Sequence, residues 1–222
     1  MTDKFSQFKD VKNLWPTFVF HYKYKDFEKD KPDLIKDIYK EAGKQVKDVD
    51  SGVAEGAKYN LLESKFDFLY TNTTSIQKIS QFFHESLLHM MHEGFPSTGY
   101  WRPQRKMKCI VQDSWYHITK NNGYHKVHAH PGSSWAAIFY VQTSECGENN
   151  GHNTWYNHNM HHNSRDDGGE WNFLNSSYVI PPKEGHMIIF PAWLPHDATP
   201  YRGTEDRIVI SANASFVYDD EL

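Results

Sequence analysis

The residues best suited to chemistry are three histidines and one arginine. His128 and His130 lie in the run Gly123-Tyr124-His125-Lys126-Val127-His128-Ala129-His130-Pro131. His196 closes the second run, Gly185-His186-Met187-Ile188-Ile189-Phe190-Pro191-Ala192-Trp193-Leu194-Pro195-His196, and Arg207 enters the last apolar stretch. On a strand, residues two apart point to one face, so His128 and His130 could share a metal. Three imidazoles suit iron, zinc, copper or nickel on ligand type alone. Hairpin geometry can return His196 to the face that carries the pair and leave the opposite side of a metal open, the arrangement that oxygen-activating iron uses. His125, three before His128, is expected to point to the other face and not to bind. Arg207 offers a rigid fork suited to a carboxylate. Entering an apolar run, it is a candidate for an inward charge, which is costly without an anionic partner.

The elements that must position these groups divide the chain in two. Residues 32–47 place Leu34, Ile35, Ile38, Tyr39, Ala42 and Val46 at helical spacing, with Asp30 and Pro32 at the start. Residues 75–93 form a clearer helix through Ile76, Ile79, Phe83, Leu87 and Met90, with Thr74 and Gln77 as a capping box and Gly94 as its stop. Both read as amphipathic covers for a sheet. Strand-like runs follow at 106–119, 124–130, 134–142, 177–181, 186–190 and 206–218, separated by turn signals such as Asn122-Gly123 and Glu184-Gly185. Short strands with short connections predict an antiparallel sandwich or barrel. The fold expected is α+β: helices first, in 1–100, then a mostly β core in 101–222, within a single domain spanning 1–222.

Residues 145–176 are rich in Asn, His, Gly and Trp and carry no steady period. A loop of that length is expected to serve function, here as a lid, or to be a solvated excursion. His158 and His161 hint weakly at a second metal. Trp115 and Trp193 are candidates to line the pocket, with packing the favoured reading for both.

Composition narrows the function classes. The chain has 222 residues, 38% hydrophobic and 15% aromatic, with a formal net charge of −4. That suits one substantial core and offers no basic face for nucleic acid. No run approaches the length of a membrane span, and Met1-Thr2-Asp3-Lys4-Phe5 lacks a signal pattern, so the cytoplasm is the expected location. Two cysteines are too few for a disulfide framework. The expected partner is a small-molecule or peptide substrate, and a homodimer is compatible with the sequence.

These runs resemble the iron(II)- and 2-oxoglutarate-dependent oxygenases, prolyl-hydroxylase-like and with a His-x-His-Pro variant of the metal motif. The resemblance rests on His128-Ala129-His130-Pro131-Gly132-Ser133-Ser134-Trp135-Ala136-Ala137-Ile138-Phe139-Tyr140-Val141, on Gly185 to His196, and on Arg207 to Asn213. It implies a double-stranded β-helix, or jelly-roll, core. It also implies Fe(II) held by His128, His130 and His196, with O2 and 2-oxoglutarate as co-substrates. Arg207 would grip the far carboxylate and Tyr140 would donate a hydrogen bond to the co-substrate. No catalytic residue is implied beyond the metal ligands. The implied reaction hydroxylates a substrate and releases succinate and CO2. Position 130 departs from the wider superfamily, where a carboxylate is usual, and its imidazole raises the charge of the metal centre by one. Two other readings fit the residues: a cupin-type three-His dioxygenase, and a metal-binding module that does not use 2-oxoglutarate. The cupin reading expects a Glu where Ser134-Trp135 stands and gives Arg207 no role.

Overall fold

The computed structural model describes residues 16–44, 56–147, 149–157 and 177–218. Nine strands and three α-helices appear among them: β1 (Phe20–Lys23), α1 (Phe27–Ala42), β2 (Lys58–Glu63), α2 (Thr74–His89), α3 (Phe95–Ser97), β3 (Met107–His128), β4 (Trp135–Gln142), β5 (Asn153–Tyr156), β6 (Ser177–Ile180), β7 (His186–Pro191), β8 (His196–Ala198) and β9 (Arg207–Tyr218). The strands join into one sheet in the order β1-β7-β4-β9-β3-β8-β5-β6, with β2 branching onto β3. The paired strands run antiparallel.

Strand periodicity divides this sheet into two faces. On β4, Ala137, Phe139 and Val141 join the core shared with Phe27, Leu34 and Ile38 of α1 and Ile76, Ile79, Phe83 and Leu87 of α2. Their neighbours Ala136, Ile138 and Tyr140 join a second cluster with Trp155, Ile188, Phe190 and Val209 on the opposite face. β9 divides the same way. Ile208, Ile210, Ala212 and Ala214 face the helices, whereas Arg207, Val209 and Ser211 line a pocket. The helices therefore hold the sheet from behind and leave its other face for a site. Gly185 fixes one junction: its φ is +73°, and a Cβ there would meet the Phe27 ring at 2.7 Å, so the turn into β7 needs glycine for both reasons.

Several expectations are corrected. The first helix starts at Phe27, and Pro32 lies inside it within its first turns. Thr74 is the first residue of α2, not its cap; Thr73 precedes it and no side-chain cap bond forms. Gln77 Nε2 donates instead to Asn72 Oδ1 at 2.9 Å. Gly94 does not end the helix, because a π-helical turn over Met90–Gly94 carries the chain into α3. Asn122-Gly123 does not separate two strands. It marks where the long β3 changes partner, from β9 over 107–119 to β8 over 125–128, with Asn122 at φ 65°. Part of the aperiodic segment 145–176 is ordered sheet: β5 pairs with both β6 and β8. The expectations for His158 and His161 lie outside the described residues.

Candidate metal and co-substrate site

The pocket lies on the face away from the helices. It encloses about 390 Å³, open solvent at its mouth included. Its lining comes from β3, β4, β5, β8 and β9 and includes His128, His130, His196 and Arg207. Four expected site residues from three distant parts of the sequence are thus brought together. Pairing explains this: His128 is the register partner of His196 across β3 and β8, and His130 N–H bonds the Ala192 carbonyl at 2.8 Å.

The three imidazoles offer nitrogens that all lie within 4.8 Å of one another. His128 Nδ1 sits 2.8 Å from the Lys126 carbonyl, and His196 Nδ1 sits 3.0 Å from the Leu194 carbonyl. A carbonyl only accepts, so each Nδ1 carries the proton and each Nε2 presents a lone pair. His196 Nε2 then faces His130 Nε2 at 3.2 Å. With the His196 nitrogen an acceptor, either a proton carried by His130 Nε2 or a metal cation satisfies this contact. Burial pushes His128 down to about 4 and His130 down to about 3, and holds His196 well below the ordinary range. All three are therefore neutral at pH 7, the form that binds metals. Donor type, tautomer and protonation state fit a divalent transition metal.

Arg207 is 2% exposed. Its Nε donates to the Gly151 carbonyl at 2.9 Å and its Nη2 to Asn153 Oδ1 at 3.0 Å. Gly151 stands at φ +60°, and a Cβ there would meet Tyr201 at 2.9 Å, so this carbonyl is held close to the arginine by a position that favours glycine. Among the described residues, no carboxylate pairs with Arg207. A buried guanidinium with neutral partners and an open side toward a pocket is an anion site.

Tyr140 does not line the pocket. It is fully buried, and its hydroxyl donates to Asn153 Oδ1 at 3.0 Å, the same oxygen that accepts from Arg207. Its connection to the pocket therefore runs through Asn153 and Arg207. Asp197, beside His196, accepts from the Tyr156 hydroxyl at 2.8 Å and takes no part in the histidine cluster.

Four further groups belong to this region and were not assigned from the sequence. His125 lines the pocket, contrary to the alternation expected of it. A β-bulge between His125 and His128 is the reason, because one extra residue returns position 125 to the inner face. His117 lines the same wall and is tied to Glu63 on β2. Asn153 orients Arg207. Trp115, read as packing, also lines the pocket and stacks on His130 with ring centroids 5.6 Å apart. Trp193, by contrast, is 50% exposed. The period-two pattern of Trp115, His117 and Thr119 was a usable signal for His117. Nothing in the sequence announced the bulge.

Residues 113–213 match the sequence family described as "Putative 2OG-Fe(II) oxygenase". No match to a curated protein sequence was found. Among solved structures, a prolyl-4-hydroxylase from Pseudomonas putida aligns with a TM-score of 0.56 and 9% identity, over 89% of this chain and 92% of that one. A prolyl hydroxylase from Trichoplax adhaerens, solved with a hypoxia-inducible-factor peptide, aligns with a TM-score of 0.56 and 11% identity, over 91% and 84%. HygX from Streptomyces hygroscopicus, solved with nickel, 2-oxoglutarate and hygromycin B, gives 0.55 and 7%, over 90% and 83%. At these identities the structural likeness establishes the fold, a jelly roll carrying its helices on one face. The matched core, residues 113–213, is a little under half of the chain and is what this chain shares with the 2OG-Fe(II) oxygenases.

Proposed function

We propose that His128, His130 and His196 hold the iron(II), that Arg207 binds the far carboxylate of 2-oxoglutarate, and that the enzyme hydroxylates a small-molecule or peptide substrate with release of succinate and CO2. The observation that carries this reading is the buried Arg207, paired with no carboxylate among the described residues, sharing one pocket with three neutral imidazoles. Iron, when bound, supplies the oxygen chemistry. The chain's own residues orient and protect. Arg207 offers the donors left over from Gly151 and Asn153, and Asn153, gripped by Tyr140, keeps the fork aimed. Val209, Ile138 and Trp115 line the wall and limit water around the co-substrate. The cupin-type alternative leaves Arg207 without a purpose.

The test is succinate formation from 2-oxoglutarate with Fe(II) under air, without added substrate. Slow uncoupled turnover is expected, and it should disappear in His196→Ala. Succinate production equal in wild type and His196→Ala would sink the assignment.

A further inference from the structure

The three proposed ligands do not use the most heavily charged cluster beside them. His125, His117, Glu63 and Lys58 form a continuous chain that starts on His128. The His125 ring lies on the His128 ring, with centroids 3.7 Å apart and planes at 16°. His117 meets His125 edge-on, at 5.6 Å and 78°. His117 Nε2 is 2.6 Å from Glu63 Oε2, and Lys58 Nζ pairs with that same oxygen. The register places these groups opposite one another, Lys58 against His125 and Glu63 against His117. His117 and His125 are both buried, and the second oxygen of Glu63 is buried without a partner. Burying a carboxylate, an ammonium and two imidazoles is costly, and an apolar wall would have packed this strand pair more cheaply.

Each proposed ligand has an aromatic neighbour. Trp115 stacks on His130, and Trp155 and Phe190 flank His196. His128 is the only one of the three whose stacking partner is itself an imidazole tied, through a second imidazole, to a carboxylate. Its one hydrogen bond among the described residues, to the Lys126 carbonyl, fixes the tautomer but leaves the ring free to turn about that bond. A face-to-face contact at 3.7 Å removes that freedom.

We propose that Glu63, His117 and His125 are positioning residues: they brace the ring of His128, and Glu63 also balances the Lys58 charge beside the site. This rests on the reading of the three histidines as the metal site. The roles are separable. His125 gives shape, His117 carries the connection, and Glu63 anchors the chain and balances Lys58. Glu63 is ionised: burial alone would raise its carboxyl, but His117 and Lys58 outweigh that and hold it down at about 2. Its charge acts on His128 and His130 in the direction that favours a cation, and Lys58 acts on both more strongly in the opposite direction. The pair therefore brings no net negative charge to the ligands, and its work is the bracing.

The test uses the full chain loaded with Co(II), which reports ligand geometry through its visible bands. Metal loss to excess EDTA is timed for wild type, His125→Ala, His125→Phe and Glu63→Gln, with thermal melts of each. His125→Ala should lose Co(II) roughly tenfold to a hundredfold faster, with altered bands, as expected for an outer-shell partner. His125→Phe keeps a flat ring on His128 and should stay close to wild type. Glu63→Gln keeps an acceptor for His117 and leaves the Lys58 charge unbalanced, so it should lose metal faster than wild type with smaller band changes. It also decides the matter if His125→Ala fails to fold. Wild-type rates and bands in both His125→Ala and Glu63→Gln would overturn the brace while leaving the metal site standing. No Co(II) uptake by wild type would overturn the metal assignment itself, and the brace with it.

Discussion

The two faces of the same strands do opposite work. On β9, Ile208, Ile210, Ala212 and Ala214 pack against the helices, while Arg207, Val209 and Ser211 face the pocket. On β3, Tyr116 and Ile118 face the helices, while Trp115 and His117 face the pocket. The helix-facing surface is continuous apolar contact. The pocket-facing surface concentrates five imidazoles and one guanidinium, none of which a stable core needs. Period-two alternation thus lets one strand hold the fold and present the chemistry, with each function confined to its own residues. Substitutions on the two faces should therefore fail in different ways.

The largest effect on stability should come from Phe139→Ala. The Phe139 ring lies within 5.7–6.4 Å, centroid to centroid, of Tyr24, Phe27, Phe82 and Phe83. Truncation should cost about 3–5 kcal/mol in urea unfolding, while the folded fraction keeps its metal affinity. A destabilised protein that also lost metal affinity in its folded fraction would break the separation of faces.

His130→Ala should do the reverse. Metal affinity should fall by more than the tenfold to hundredfold typical of losing an outer-shell partner, whereas the metal-free protein should melt close to wild type. An isothermal titration with Co(II) and a melt of the metal-free form measure both. Full metal affinity in this variant would reduce the site to two histidines.

A smaller effect sharpens the comparison through pH. In the folded chain, His128 stays neutral down to about 4 and His130 down to about 3. In the unfolded chain both take up protons near the ordinary histidine value, roughly 6.5. Below that value the unfolded state binds more protons, so stability of the metal-free protein falls as pH drops from about 6.5 toward 4. The pocket-facing histidines carry this slope, and His130→Gln should flatten it between pH 7.5 and 5. Equal slopes in the two proteins would mean that the imidazoles are not held neutral by burial.

Much of this division was legible in the sequence, and the exceptions share a cause. The His128-x-His130 pair, the Gly-apolar-Pro-His run ending at His196, and Arg207 at the head of an apolar strand all depend on local pattern, and the fold brings them into one pocket. β4, β7 and β9 were readable for the same reason. What could not be read depends on pairing between distant segments. The bulge that turns His125 inward exists only in the register between β3 and β8. Glu63 sits on β2, a six-residue strand with a polar, largely exposed pattern that carries no period of its own, and its contact with His117 is set by pairing with β3. β5 was hidden because Asn153, Thr154, Trp155 and Tyr156 sit in a polar, His-rich segment, and neighbouring strands on both sides impose its extended form. Gly94 failed as a helix stop because the π-helical turn absorbs it without interrupting the run.

The central claim is that the imidazole cluster and Arg207 together bind one metal–co-substrate unit. It is tested most directly by anaerobic titration of the Fe(II)-loaded protein with 2-oxoglutarate, following the visible band of the iron–keto-acid chelate. Wild type should develop the band at one equivalent. Arg207→Ala should still bind iron and should need roughly tenfold to a few hundredfold more 2-oxoglutarate, since charge-assisted hydrogen bonds contribute about 1.5–3 kcal/mol each. Equal 2-oxoglutarate affinity in wild type and Arg207→Ala would contradict the account.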